Sequence, residues 1–253
     1  MATSVRTHVG RFVWHGCNTT DVEKAKAFYS ELLGWQIEVW KPGEYDYPMI
    51  SVGGAQHGGF GPVQGEGVPS HWLGHVCVED VDETVAKAKA NGGSVLVEPM
   101  DMPEVGRFAV IADPNGAAFS AYSPEGEAPV SEGVFVWDEL VTGDVEAAKA
   151  FYTAVIGWTT ADMDMGPGGV YTMLRSGGVD RAGILRKPDE MGPAPDAWLA
   201  YVGTDDVDAT VARAGELGAT TLFQGTDIPG VGRIAVLSDP TGAVFGLFKP
   251  TAG

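Results

Sequence analysis

The feature that most constrains this 253-residue chain is that it repeats itself. Phe12-Val13-Trp14 recurs as Phe135-Val136-Trp137, Asp21-Val22-Glu23 as Asp144-Val145-Glu146, Ala27-Phe28-Tyr29 as Ala150-Phe151-Tyr152, and Gly34-Trp35 as Gly157-Trp158, all at a shift of 123. Trp72-Leu73 recurs as Trp198-Leu199, Gly106-Arg107 as Gly232-Arg233, and Asp113-Pro114-Asn115-Gly116 as Asp239-Pro240-Thr241-Gly242, now at a shift of 126. The three additional residues enter between Trp158 and Trp198, where Gly166-Pro167-Gly168-Gly169 reads as a longer hairpin. Self-similarity on this scale means one supersecondary plan used more than once. The polar, Pro- and Gly-rich stretch from Ser123 to Pro129 is the expected linker, giving domains at 8–123 and 131–250.

A fainter period lies inside each half. An apolar strand runs into Asp-Val-(acid) and then a helix at Asp21, Asp80, Asp144 and Asp206. Each such unit is too small to cover both faces of its own sheet, so units must pair. In the first, Thr20 or Asp21 caps a helix on which Val22, Ala25, Phe28, Tyr29, Leu32 and Leu33 recur at helical spacing, and Gly34 ends it. In the second, Asp80 caps a helix from Val81 to about Asn91. β-rich runs follow at 94–97 and 108–111, then a type I turn at Asp113-Pro114-Asn115-Gly116 and a returning strand to Tyr122. The order strand, helix, three strands occurs four times, which makes the chain α+β with four βαβββ modules.

Charge narrows the partners. Asp and Glu number 34 against 16 Lys and Arg, a net charge of −18. Nucleic acid and anionic membrane surfaces are polyanions and would be repelled, so neither is expected as a partner. No stretch approaches the roughly 20 apolar residues needed to span a bilayer. Met1 to Gly10 lacks the apolar core of a signal peptide, and two cysteines make no disulfide framework, so a cytoplasmic location is expected. The repeat is compatible with a monomer or a homodimer.

The stretch Asp21…Phe28-Tyr29…Gly34-Trp35, its copy at Asp144…Phe151-Tyr152…Gly157-Trp158, and the two Asp-Pro-x-Gly turns resemble the vicinal oxygen chelate superfamily, which includes glyoxalase I, extradiol dioxygenases and bleomycin-resistance proteins. The resemblance covers about residues 10–250. It implies that two βαβββ modules curl their sheets around one cavity, and that enzymes of the family hold a divalent metal there. Ligands, commonly His, would start the first strand of each module, with Glu on the last strands. The matching positions here are Trp14, Leu73 and Ser120 in the first half and Trp137, Leu199 and Gly246 in the second. Cations favour imidazole, carboxylate or thiolate, and none of these residues supplies one. No cofactor is therefore expected.

The expected site is an apolar, aromatic pocket with a few polar handles. In the first half it draws on Trp14, Asn18, Tyr45, Tyr47, Met49 and Phe60, and in the second on Trp137, Tyr171, Met173 and Ile184. His75 lies two residues after Leu73, on the same strand face, with Tyr201 as its counterpart. It is the candidate acid or base, or a hydrogen-bond donor to a ligand. The alternative is a nonstandard metal site made of His15, His57 and His75, in a half that carries every cysteine and all the histidines. Arg107 and Arg233 read as structural ion pairs with Asp101 or Glu104 and their counterparts. The function expected is binding of a small aromatic or oxygenated molecule in a metal-free cavity, as in the bleomycin-resistance branch. The alternative is a lyase, dioxygenase or hydroxylase acting on a small metabolite, and a third reading makes the second half a structural partner of the first.

Overall fold

A computed structural model describes residues 8–41, 46–126 and 133–251. Tyr45 and the linker residues 127–129 lie outside the described residues. The first half runs β1 (Phe12–Thr19), α1 (Val22–Leu33), β2 (Gln36–Trp40), β3 (Tyr47–Val52), β4 (Ala55–Pro62), then β5 (His71–Cys77), α2 (Val81–Ala90), β6 (Ser94–Met102), β7 (Gly106–Ala112) and β8 (Ala118–Pro124). The second half repeats it: β9 (Phe135–Thr142), α3 (Val145–Val155), β10 (Thr159–Asp164), β11 (Val170–Ser176), β12 (Val179–Arg186), then β13 (Ala197–Gly203), α4 (Val207–Glu216), β14 (Thr220–Ile228), β15 (Gly232–Ser238) and β16 (Val244–Pro250).

All four helices begin for one reason. The side chains of Asp21, Asp80, Asp144 and Asp206 accept hydrogen bonds from the backbone N–H three residues on, at 3.0, 2.9, 3.0 and 3.0 Å. Each cap satisfies a donor the helix cannot, which is worth about 1 kcal/mol. α1 stops at Gly34, whose φ of 69° is left-handed and suits glycine.

The strands form two eight-stranded sheets, ordered β2-β3-β4-β1-β5-β8-β7-β6 and β10-β11-β12-β9-β13-β16-β15-β14. β4 runs parallel to β1 and β8 parallel to β5, with the same pairings in the second sheet. The additional residues of the second half do not all enter one hairpin. Tyr47 and Tyr171 stand 124 apart, as do Gly59 and Gly183, so one of them lies between β10 and β11. The other two lie between β12 and β13, where a 3-10 turn covers Asp189–Met191.

The sheets follow the halves, but the packing does not. One compact unit is built from the described parts of Met1–Val13, Gly74–Pro129 and Trp137–Trp198. The other is built from Trp14–Leu73, Val130–Val136 and Leu199–Gly253. Each unit therefore joins two βαβββ modules, the second with the third and the first with the fourth. In the first unit, fully buried Trp158, Tyr152, Phe119 and Phe151 form the centre of the core. Trp198 Nε1 donates to the Tyr152 hydroxyl at 2.8 Å, and that hydroxyl donates to Asp113 Oδ2 at 3.2 Å. Asp113 Oδ1 accepts from the backbone N–H groups of Asn115 and Ala117 at 2.9 and 3.0 Å, closing the Asp-Pro-x-Gly turn. The second unit repeats the plan. Trp72 Nε1 donates to Tyr29 at 2.9 Å, Tyr29 stacks on Trp35 at 5.4 Å, and Asp239 holds its own turn through Thr241 and Ala243. The repeated aromatic motif is thus a core device, in which the buried hydroxyls of Tyr29 and Tyr152 each accept from an indole N–H.

Candidate functional site

Apart from Phe60 and Ile184, the expected site residues that the structure describes lie on the strand faces turned away from these cores, in four groups. The first is on β1, β3 and β4. His15, Cys17 and Thr19 are buried, while Trp14 and Asn18 alternate with them and stay half-buried. Trp14 Nε1 donates to the Tyr47 hydroxyl at 3.4 Å. The Tyr47 ring lies across Gly59, where a Cβ would stand 2.6 Å from it. Half-buried Met49 is the register partner of Gly59. Asn18 Nδ2 lies 3.4 Å from His71 Nε2. His71 Nδ1 is 2.9 Å from the Pro69 carbonyl and so carries the proton, leaving Nε2 to accept from Asn18.

The second group, on β9, β11 and β12, follows the same plan with one addition. Trp137 Nε1 donates to the Tyr171 hydroxyl at 2.8 Å. Tyr171 crosses Gly183, where a Cβ would meet its hydroxyl at 1.9 Å. Half-buried Met173 is the register partner of Gly183 on β11. On the other side Gly183 pairs with Glu139, and Tyr171 faces that carboxylate. Burial and then the charge of Glu139 push the Tyr171 phenol far up, so it stays neutral. Glu139 is 8% exposed, and Gly16 holds the matching place in the first half. The residues singled out above omit Glu139. Its signal was available, because it stands two residues after Trp137 on one strand.

The third group holds His75, the candidate acid or base. His75 is half-buried, pairs in register with Ser120 and meets Tyr122 edge-on at 6.3 Å between ring centres. Tyr122 donates to the Val105 carbonyl at 2.8 Å, and burial pushes its phenol up to about 12. Burial also raises the Cys77 thiol to about 11 and Cys17 well above its ordinary value, so both cysteines are small core side chains. The fourth group pairs Tyr201 with Gly246 in register. A Cβ at Gly246 would stand 2.2 Å from Tyr201 Cδ1, so the ring fills the space a longer residue would need.

These donors do not fit a divalent cation. Trp14 and Trp137 present indole N–H groups, which donate and have no lone pair to give. Gly246 has no room for a carboxylate beside Tyr201. His15 stacks on Phe135 at 4.0 Å, and His57 Nε2 lies 3.4 Å from the Val52 carbonyl. Among the described residues no three His, Cys, Asp or Glu side chains stand where they could hold a metal ion, so His15, His57 and His75 do not make the three-histidine centre. Phe60 and Ile184, expected in the pocket, are fully buried in the cores instead. Gly59 and Gly183 occupy the face of β4 and β12 that Tyr47 and Tyr171 cover, so the next residue must point the other way, into the core. Arg107 binds Asp82 and Asp101, and Arg233 binds Asp208 and Asp227, which ties each strand to the start of the helix beneath it.

Two eight-stranded sheets, each of two βαβββ modules, define a tandem glyoxalase-fold protein. The chain belongs to the Glyoxalase/Bleomycin resistance protein/Dioxygenase superfamily, whose sequence pattern it matches over residues 8–120, with a Glyoxalase-like domain over 135–248. It is 37% identical over 246 residues to CFP32 of Mycobacterium tuberculosis, a protein provisionally named a glyoxylase, with 94% of each chain covered. It is 33% identical to the anthracycline biosynthesis protein DauV of Streptomyces sp. strain C5, over 95% of this chain and 93% of DauV. Its fold is similar to that of the Mn(II)-bound glyoxalase of Novosphingobium aromaticivorans, at a TM-score of 0.65 and 20% identity over 95% of this chain and 82% of the other. It is also similar to the 2,3-dioxygenase LapB of Pseudomonas sp. KL28, at 0.64 and 14% over 95% and 93%. Among the described residues no helix is long and apolar enough to cross a membrane.

Proposed function

We propose that this protein binds a small, flat, oxygenated aromatic molecule without the help of a metal, on the strand faces that carry Trp14–Tyr47 and Trp137–Tyr171. The carrying observation is that an indole hydrogen-bonded to a phenol, both half-buried, occurs in each half beside a glycine that lets the phenol lie flat. Such a pair offers a π-face and a polar edge together, which suits a planar ring bearing oxygen. The relationship to a protein named for anthracycline biosynthesis supports a polycyclic ligand.

The test is a tryptophan-fluorescence titration with a hydroxylated anthraquinone. Saturable quenching is expected, with Trp137→Leu and Trp14→Leu each weakening binding about tenfold through loss of one aromatic contact. The six remaining tryptophans keep the signal readable in each variant. Absence of saturable binding to the native protein would reject the reading.

A further inference from the structure

The last strand of the second module carries a buried hydroxyl that the fold does not use. On β8, Phe119 and Ala121 enter the core, so Ser120 and Tyr122 take the opposite face. Ser120 is 0% exposed, and its Oγ has no hydrogen-bond partner among the described residues. Such a group gives up its hydration with nothing in return, and an alanine would fill the same place without that loss. In register, Ser120 stands between His75 on β5 and Val110 on β7, and Val110 stands beside Val97 on β6. The next row of that face holds Tyr122 and Phe108. The matching place in the second half is closed. There Gly246 stands for Ser120 and Tyr201 for His75, and the Tyr201 ring lies where a Cβ at Gly246 would be. His75 is smaller than tyrosine, and both it and Val110 are only half-buried, so the two side chains that flank the Ser120 hydroxyl reach the surface.

We propose that Ser120 is the polar anchor of a further ligand-binding face, on β5, β8, β7 and β6, for a neutral, apolar molecule that carries a carbonyl. His75 and Val110 part to admit it, the Ser120 hydroxyl donates to the carbonyl oxygen, and the apolar body lies over Val110, Val97 and Phe108. The ligand is neutral because no lysine or arginine stands in these two rows to balance an anion. It carries an acceptor because the unmet need of a buried O–H is a lone pair to donate to. This face shares no residue with the Trp–Tyr faces, and the proposal holds whether or not those bind.

The experiment is equilibrium dialysis of the full chain against 9-fluorenone and fluorene, a ketone and a hydrocarbon of nearly the same shape. Fluorenone should bind about tenfold more tightly, as one hydrogen bond in an apolar wall allows. Ser120→Ala should bring the two probes to within about twofold, by weakening fluorenone alone. The preference should survive in a protein carrying both Trp14→Leu and Trp137→Leu, which weakens the Trp–Tyr faces. The urea midpoint of Ser120→Ala should equal or exceed that of the native protein, since the hydroxyl has no partner to lose. Equal binding of the two probes to the native protein, or a preference that persists in Ser120→Ala, overturns the proposal. So does a preference lost with the two tryptophans, which assigns the ketone to the Trp–Tyr faces instead. A lower urea midpoint for Ser120→Ala also overturns it, because the hydroxyl then serves the fold.

Discussion

Gly246→Ala is expected to destabilise the protein by about 2–3 kcal/mol, as a single methyl forced into a filled site does. Gly246 needs no unusual backbone angle, so the effect is purely one of space. The new Cβ would lie 2.2 Å from Cδ1 and 2.6 Å from Cγ of Tyr201, atoms near the root of a ring that is 4% exposed. The ring cannot swing aside without moving its strand. Removing it should release the clash. Tyr201→Ala alone is expected to cost about 3 kcal/mol or more through its cavity, and the double variant should be more stable than the sum of the two by at least about 1 kcal/mol. Denaturant unfolding of the four proteins measures this directly. Additive losses would show that Tyr201 does not fill the Gly246 site. Gly246→Glu, which restores the carboxylate the family's metal enzymes carry, should be at least as damaging as the alanine.

The second large effect concerns Asp113. Its carboxylate is 3% exposed and accepts from two backbone N–H groups and the Tyr152 hydroxyl. Asp113→Ala strands these buried donors and should cost about 3 kcal/mol. Burial pushes the Asp113 carboxyl above its ordinary value, and the hydrogen bonds from Ala117, Asn115 and Tyr152 only partly offset this. The folded value therefore exceeds the unfolded one of about 3.9. The contribution to stability is then fullest below that pH and declines as pH rises through the folded value. Asp113→Asn keeps an acceptor oxygen and removes the titration. The stability of the native protein minus that of Asp113→Asn should fall as pH rises from about 4 and then level off. A pH-independent difference would contradict this account of the turn.

Much of the fold was legible because the same local physics is written four times. An Asp before Val and an acid at Asp21, Asp80, Asp144 and Asp206 is a helix start wherever it occurs, and all four cap as the spacing predicts. Asp113-Pro114-Asn115-Gly116 is likewise a turn from its own chemistry. The association of the first module with the fourth was not legible. Period-two and period-3.6 patterns tell a strand or helix which face to bury but not which module covers it. The strand face turned away from the core was legible at Trp14 and Trp137, each half-buried next to a buried neighbour. The pattern misled at Phe60 and Ile184, because the adjacent glycine gives no hydrophobic mark of its own and its role depends on a tyrosine from another strand. Glu139 was obscured for a related reason. Comparing the halves draws attention to what they share, whereas Glu139 matters because Gly16 does not match it.

The most direct test of metal-free aromatic binding is elemental analysis of the purified, binding-competent protein, paired with a hydroxyanthraquinone titration before and after chelator treatment. The account predicts no stoichiometric divalent metal and a binding curve that chelator treatment leaves unchanged. A cation held in proportion to the chain, whose removal abolishes binding, would contradict it.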